Sequence, residues 1–151
     1  MNAMRYVMIL FFLTTSSTFS QSIDYNLKKG YVAEGYDVVA YFENKAIEGD
    51  TKFTTRYGGV NYKFSSQKNL DAFSKNPKKF VPQYGGYCAY AVGAKNDKVS
   101  INPKTFEVKD GKLYLFYNAW GTNTLDLWQK ENPKLLKEKA DKNWEKIKFK
   151  K

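Results

Sequence analysis

The only cysteine of the chain, Cys88, sits in the run Tyr84-Gly85-Gly86-Tyr87-Cys88-Ala89-Tyr90, with two glycines just before it and three tyrosines within four residues. A thiol attacks as the thiolate, binds soft metals, or packs as a small hydrophobe. Without a second cysteine it cannot close an internal disulfide. It is therefore buried and inert, reactive, metal-bound, or paired with another molecule. The glycines admit backbone conformations closed to other residues and let other atoms approach closely. The tyrosines bring apolar faces with polar tips. Tyr84, Gly85, Gly86, Tyr87, Cys88 and Tyr90 form the candidate ligand-binding set. Cys88 is also the candidate metal ligand and, in a redox reading, the catalytic residue. There its thiolate attacks a peroxide or a disulfide, passing through a sulfenic acid or a mixed disulfide that an external thiol must resolve.

Other residue types narrow the chemistry. Histidine is absent, which removes the commonest general base and imidazole ligand and excludes a Ser-His or Cys-His nucleophile. One thiolate with Asp37, Glu43, Asp97 and tyrosine oxygens is a poor zinc set, because structural zinc takes several Cys or His ligands. A copper(I) site with Met4 or Met8 fails if the leader described below is removed. A metal would then need a thiolate from a second chain or an outside ligand. A reactive thiolate needs positive charge or backbone donors beside it. Lys95, Lys98 and the Gly85-Gly86 N–H groups are the candidates.

Short β-prone and helical runs surround this stretch. Residues 36–42 are apolar and read as a strand. Residues 51–57 and 60–64 flank Gly58-Gly59, and residues 105–108 and 112–117 flank Asp110-Gly111, which predicts two hairpins. Ser65 or Ser66 can cap a helix over 67–75 that Asn76-Pro77 ends, with Leu70 and Phe73 facing inward. Residues 90–92 continue as strand or helix, and 93–103 form a polar loop. Thr124 can cap a helix over 125–131, and Pro133 can open a last one to Ile147, burying Leu135, Leu136, Ala140, Trp144 and Ile147. The expected fold is α+β: a small antiparallel sheet of two hairpins plus a strand, with short helices and a C-terminal helix pair packed on it.

Arg5, the apolar run 6–13 and the small residues before Gln21 read as a secretory signal over 1–20. The run is too short to span a bilayer, so no transmembrane anchor is expected after its removal. A lead-in over 21–34, a domain over 35–147 and a basic tail over 148–151 follow. The whole chain carries 25 Lys and Arg against 15 acids, a formal +10, and removing Arg5 with the leader leaves +9. The bases are nearly all scattered lysines, Arg56 being the one arginine outside the leader. That pattern lacks the arginine forks of a nucleic-acid surface. The expectation is an exported protein, periplasmic or secreted, that binds no nucleic acid.

Several spaced motifs carry a resemblance. They are Gly35-Tyr36-Asp37 with Val39-Ala40-Tyr41-Phe42, then Asn61-Tyr62-Lys63-Phe64-Ser65-Ser66, then Phe73, Asn76-Pro77 and Lys79-Phe80. The Pro82–Val92 segment is the most specific, and Asp110-Gly111-Lys112-Leu113-Tyr114-Leu115, Ala140-Asp141 and Asn143-Trp144 close the series. The chain resembles the YHS-domain family in its longer exported form, which is related to seleno-proteins. Short YHS domains are considered metal-associated, and the resemblance makes a metal ion the one cofactor to weigh. Their cysteine and histidine positions hold Ala40, Ser65 and Lys63 here, so those ligands do not carry over. Cys88 stands where some long-form relatives have selenocysteine, which implies a reactive group. The resemblance implies a binding or accessory module centred on Cys88, taking a metal, a small ligand or an exported protein. A thiol redox protein and a structural envelope protein with an inert thiol are the alternatives.

Overall fold

A computed structural model describes residues 21–150, so the expected leader lies outside the described residues. The chain runs β1 (Leu27–Lys28), β2 (Tyr31–Val32), β3 (Asp50–Tyr57), β4 (Val60–Phe64), α1 (Gln67–Lys75), α2 (Pro77–Phe80) and α3 (Ala89–Lys95). It continues through β5 (Asn102–Lys109), β6 (Lys112–Phe116), β7 (Asn118–Ala119), β8 (Thr122–Asn123), α4 (Thr124–Lys130) and α5 (Pro133–Ile147). The α+β class is the one expected.

Both hairpins form at their turn residues. Gly58 and Gly59 have φ of 59° and 84°, and Asp110 and Gly111 have 51° and 70°. Positive φ at both central residues is the two-residue turn whose twist matches that of its strands. Tyr62 and Phe64 of β4 point into the core, while Asn61 before them is exposed and Lys63 between them is half-buried.

The hairpins lie in separate sheets rather than one. The β3–β4 hairpin extends to a four-stranded sheet of order β1-β2-β4-β3, in which β2 and β4 run parallel. β5 and β6 pair only with each other as a sheet, and the glycine-tyrosine stretch lies along β6 through single bridges, Pro82 to Leu113 and Cys88 to Leu115. The extra strands come from the lead-in, which is tied down. Asn26 N–H donates to the Gly85 carbonyl at 2.9 Å, and Asp24 N–H to that of Lys148 at 2.7 Å. Ile23 also bridges Phe149, so the basic tail is held as well.

Residues 36–42 are not a strand. Asp37 is fully buried, and its Oδ1 accepts from the N–H groups of Val39 at 2.9 Å and Ala40 at 3.2 Å. A carboxylate bonded to its own backbone two and three residues on competes with a sheet ladder. The chain turns instead into a 3₁₀ segment, Ala40–Glu43.

Ser66 caps α1 by accepting from Asn69 N–H. α4 is capped by Asn123, one residue earlier than expected. In α5 the inward line is Leu136, Ala140, Trp144 and Ile147. Leu135 lies about 100° round the helix from Leu136 and is 45% exposed. α3 packs against α5 at Gly93, where an added Cβ would sit 2.6 Å from the Leu136 carbonyl oxygen. The core is one cluster, with Phe73 of α1 against the rings of Tyr62, Phe64 and Phe80. No helix among the described residues is long and apolar enough to cross a membrane.

Candidate functional site

Between α2 and α3 the chain makes a tight 3₁₀ turn, Gln83–Gly86. Tyr84, Gly85 and Gly86 all have positive φ there, at 54°, 61° and 81°. Gly85 is required twice over: a Cβ on it would fall 2.7 Å from the Asp24 carbonyl oxygen and 2.9 Å from the Trp144 ring. The Gly86 carbonyl accepts from the Asn26 side chain at 3.0 Å. The glycine pair thus seats the lead-in and Trp144.

This turn sends the three tyrosines in different directions. Tyr84 donates to Asp141 Oδ1 at 2.8 Å, Tyr87 to Asp24 Oδ2 at 3.1 Å, and Tyr90 to the Glu131 carboxylate at 3.0 Å. Each phenol titrates above its ordinary range. Burial is the largest cause each time, followed by the hydrogen bond to the neighbouring carboxylate. Tyr87 is pushed up to about 12. All three therefore stay protonated at neutral pH and act as hydrogen-bond donors.

Cys88 is fully buried. Its N–H donates to the Val99 carbonyl at 2.9 Å, and its carbonyl accepts from Val92 N–H at 3.1 Å in the first turn of α3. The sulfur lies 3.2 Å from Thr124 Oγ1. The Thr124 hydroxyl has one proton and gives it to the Tyr117 carbonyl at 2.8 Å. A carbonyl cannot donate, so the shared contact is filled by the thiol S–H donating to Thr124. This arrangement suits the neutral thiol. Of the expected positive neighbours, Lys98 is engaged elsewhere, with Asp24 at 2.9 Å and the Phe149 carbonyl at 3.1 Å. Lys95 is exposed and lines a cavity of ≈ 230 Å³ with Cys88, Tyr90, Tyr117 and Thr124.

Tyr84 and Gly85 open onto a different and larger cleft of ≈ 510 Å³. Tyr25, Tyr57 and Trp144 give it aromatic walls, Val81 and Pro82 an apolar floor, and Asp141 and Glu145 a carboxylate edge. The six candidate residues therefore divide. Tyr84 and Gly85 face this cleft, Cys88 and Tyr90 face the smaller cavity, and Gly86 and Tyr87 hold the lead-in.

Asp37, weighed from sequence only as a poor metal partner, has a structural task. Its Oδ2 accepts from Ser65 N–H at 2.8 Å, Ser65 Oγ at 2.6 Å and Asn69 Nδ2 at 2.7 Å, besides the two bonds at Oδ1. Five donors leave this carboxylate no free direction for a cation. Among the described residues no three Cys, Asp or Glu side chains gather as a metal set. Cys88, the candidate metal ligand, thus has no such set of donors around it among the described residues. The aromatic cleft was hidden in the sequence, since Tyr25, Tyr57, Tyr84 and Trp144 come from four separated segments.

Compared with models of known protein families, residues 38–84 match that of the YHS domain, and the match ends four residues before Cys88. No curated protein and no solved structure matches the chain.

Proposed function

We propose that this chain, a YHS-domain protein, is an exported accessory module that binds a small organic ligand in the cleft beside Tyr84. The observation that carries the reading is the ≈ 510 Å³ cleft itself. It falls within the ~300–1,000 Å³ span of small-molecule pockets, with mostly apolar and aromatic walls and a few polar groups. Its shape is set in advance, because Gly85 is wedged against Asp24 and Trp144 and Tyr84 is fixed by Asp141. Preorganisation of this kind lowers the entropy lost on binding. The aromatic walls favour a ligand with a flat apolar part. The lack of a metal-ligand cluster among the described residues favours an organic ligand over an ion. Burial of the Cys88 sulfur and its bond to Thr124 support a packing role for the thiol, and a redox cycle would require that contact to open. Export rests on the sequence pattern of residues 1–20, and N-terminal sequencing of the secreted form checks it; a retained Met1 would refute it.

The binding reading is tested by native mass spectrometry of the purified protein and by thermal shift against a fragment library rich in planar compounds. Saturable binders are expected, and Gln83→Trp, which fills the mouth of the cleft, should abolish their effect. If no compound raises the melting temperature, or the binders ignore Gln83→Trp, the reading fails.

A further inference from the structure

A second cavity, remote in chemistry from the first, lies where the β5–β6 hairpin meets α4 and the start of α5. Its volume is ≈ 290 Å³. Two buried polar atoms on its lining have no hydrogen-bond partner among the described residues: the indole N–H of Trp128 and Oε2 of Glu107. Trp128 is only 2% exposed, so bulk water does not serve it. Glu107 uses its other oxygen, Oε1, for Gln129 at 3.3 Å. Leaving a buried donor and a buried acceptor unpaired is costly, and native proteins rarely do so without a reason. The lining also includes the Tyr114 ring, which lies 5.9 Å from that of Trp128 at a 35° tilt. Lys109 and Lys134 stand at the rim beside Asp110, and Lys137, also there, is paired with Asp141 at 2.7 Å.

The geometry points to a binding site for a sugar acid of monosaccharide size. The orphan pair demands a ligand that both accepts, from Trp128, and donates, to Glu107. A hydroxyl group does both. A carboxylate alone would be repelled by Glu107, and an ammonium could not accept from the indole. The aromatic rings of Trp128 and Tyr114 suit the apolar face of a sugar ring. The rim favours an anionic substituent, since Lys109 and Lys134 outnumber Asp110 there even with Lys137 taken by Asp141. Nothing in this inference depends on the Tyr84 cleft.

The test titrates glucuronate, glucose and acetate separately into the full mature chain, followed by calorimetry. Glucuronate is expected to bind saturably, with glucose and acetate each about tenfold weaker or worse, the loss of one hydrogen-bonded or charged contact. Trp128→Phe deletes the N–H and shrinks the indole to a phenyl ring. It should weaken glucuronate about tenfold, and it should also lower the melting temperature, because the smaller ring leaves a cavity in the core. Lys134→Ala, on the exposed first turn of α5, should reduce the preference for glucuronate over glucose. It decides the matter if Trp128→Phe does not fold. Gln83→Trp should leave glucuronate binding intact. Absence of saturable glucuronate binding would mean that water alone serves the orphan atoms, and would overturn the proposal. So would glucuronate binding that ignores both Trp128→Phe and Lys134→Ala.

Discussion

Replacing Asp37 by asparagine changes one oxygen to NH₂ at almost constant volume. The buried carboxylate takes five hydrogen bonds: Val39 and Ala40 N–H on Oδ1, and Ser65 N–H, Ser65 Oγ and Asn69 Nδ2 on Oδ2. The amide has one acceptor atom, so one of these two sets must face its NH₂. The better choice keeps oxygen toward Val39 and Ala40, whose N–H groups cannot turn away. The Ser65 hydroxyl can then rotate to accept, and the Asn69 amide can flip to present its oxygen. Ser65 N–H can do neither and is orphaned, at ~1–3 kcal/mol. The retained bonds lose their charge assistance, while relief from burying a charge offsets part of that loss. The expected net cost is ~2 kcal/mol for Asp37→Asn, and ~4 kcal/mol or more for Asp37→Ala, which orphans all five donors. Urea unfolding reads both. With a slope of ~1–3 kcal/mol/M, Asp37→Asn should lower the midpoint by ~1 M. Ser65→Ala should cost less in the Asp37→Asn background than in the wild type. An Asp37→Asn midpoint equal to wild type, or additive Asp37 and Ser65 effects, would refute the reasoning.

Gly93→Ala should destabilise by ~1–3 kcal/mol although alanine is the better helix former by ~1 kcal/mol, because its Cβ would meet the Leu136 carbonyl oxygen at 2.6 Å; a raised melting temperature would contradict the α3–α5 packing. Burial raises the folded pKa of Tyr41, Tyr62, Tyr84 and Tyr87 above the ordinary tyrosine value of about 10. Their contribution to stability is therefore complete below pH ~10 and lost as pH rises through the folded values. Melting temperature should fall steeply between pH ~10 and ~12, with the last tyrosinate absorbance appearing only on unfolding; full tyrosinate absorbance in the folded state at pH ~11 would be the contrary result. Cys88 should alkylate slowly in the folded protein and rapidly in urea, and Cys88→Ala should cost ~1 kcal/mol or more through the lost Thr124 contact and a small cavity. Fast alkylation under native conditions would restore the redox reading.

Local signals were legible in the sequence wherever the physics is local. Gly58-Gly59 and Asp110-Gly111 fix their turns because few other residues tolerate positive φ at both positions. Ser66, Pro77 and Pro133 mark helix ends through groups within one turn of themselves. The special status of the glycine-tyrosine stretch was also legible, since Gly85 and Gly86 do adopt the conformations that glycine alone accepts readily. Tertiary structure decided the rest. Asp37 turned an apolar, β-prone run into a 3₁₀ turn by reaching Ser65 and Asn69, residues 28 and 32 positions away. Composition along 36–42 cannot register such partners. Tyrosine spacing suggested one ring around Cys88, but three successive left-handed residues aimed the side chains at Asp141, Asp24 and Glu131 on distant segments. The thiol met Thr124 instead of a lysine because the Cys88 bridge to Leu115 and the start of α4 bring those backbones together. Both cavities are assembled from side chains far apart in the chain. Each wall is ordinary in its own segment, and only long-range packing makes it a site.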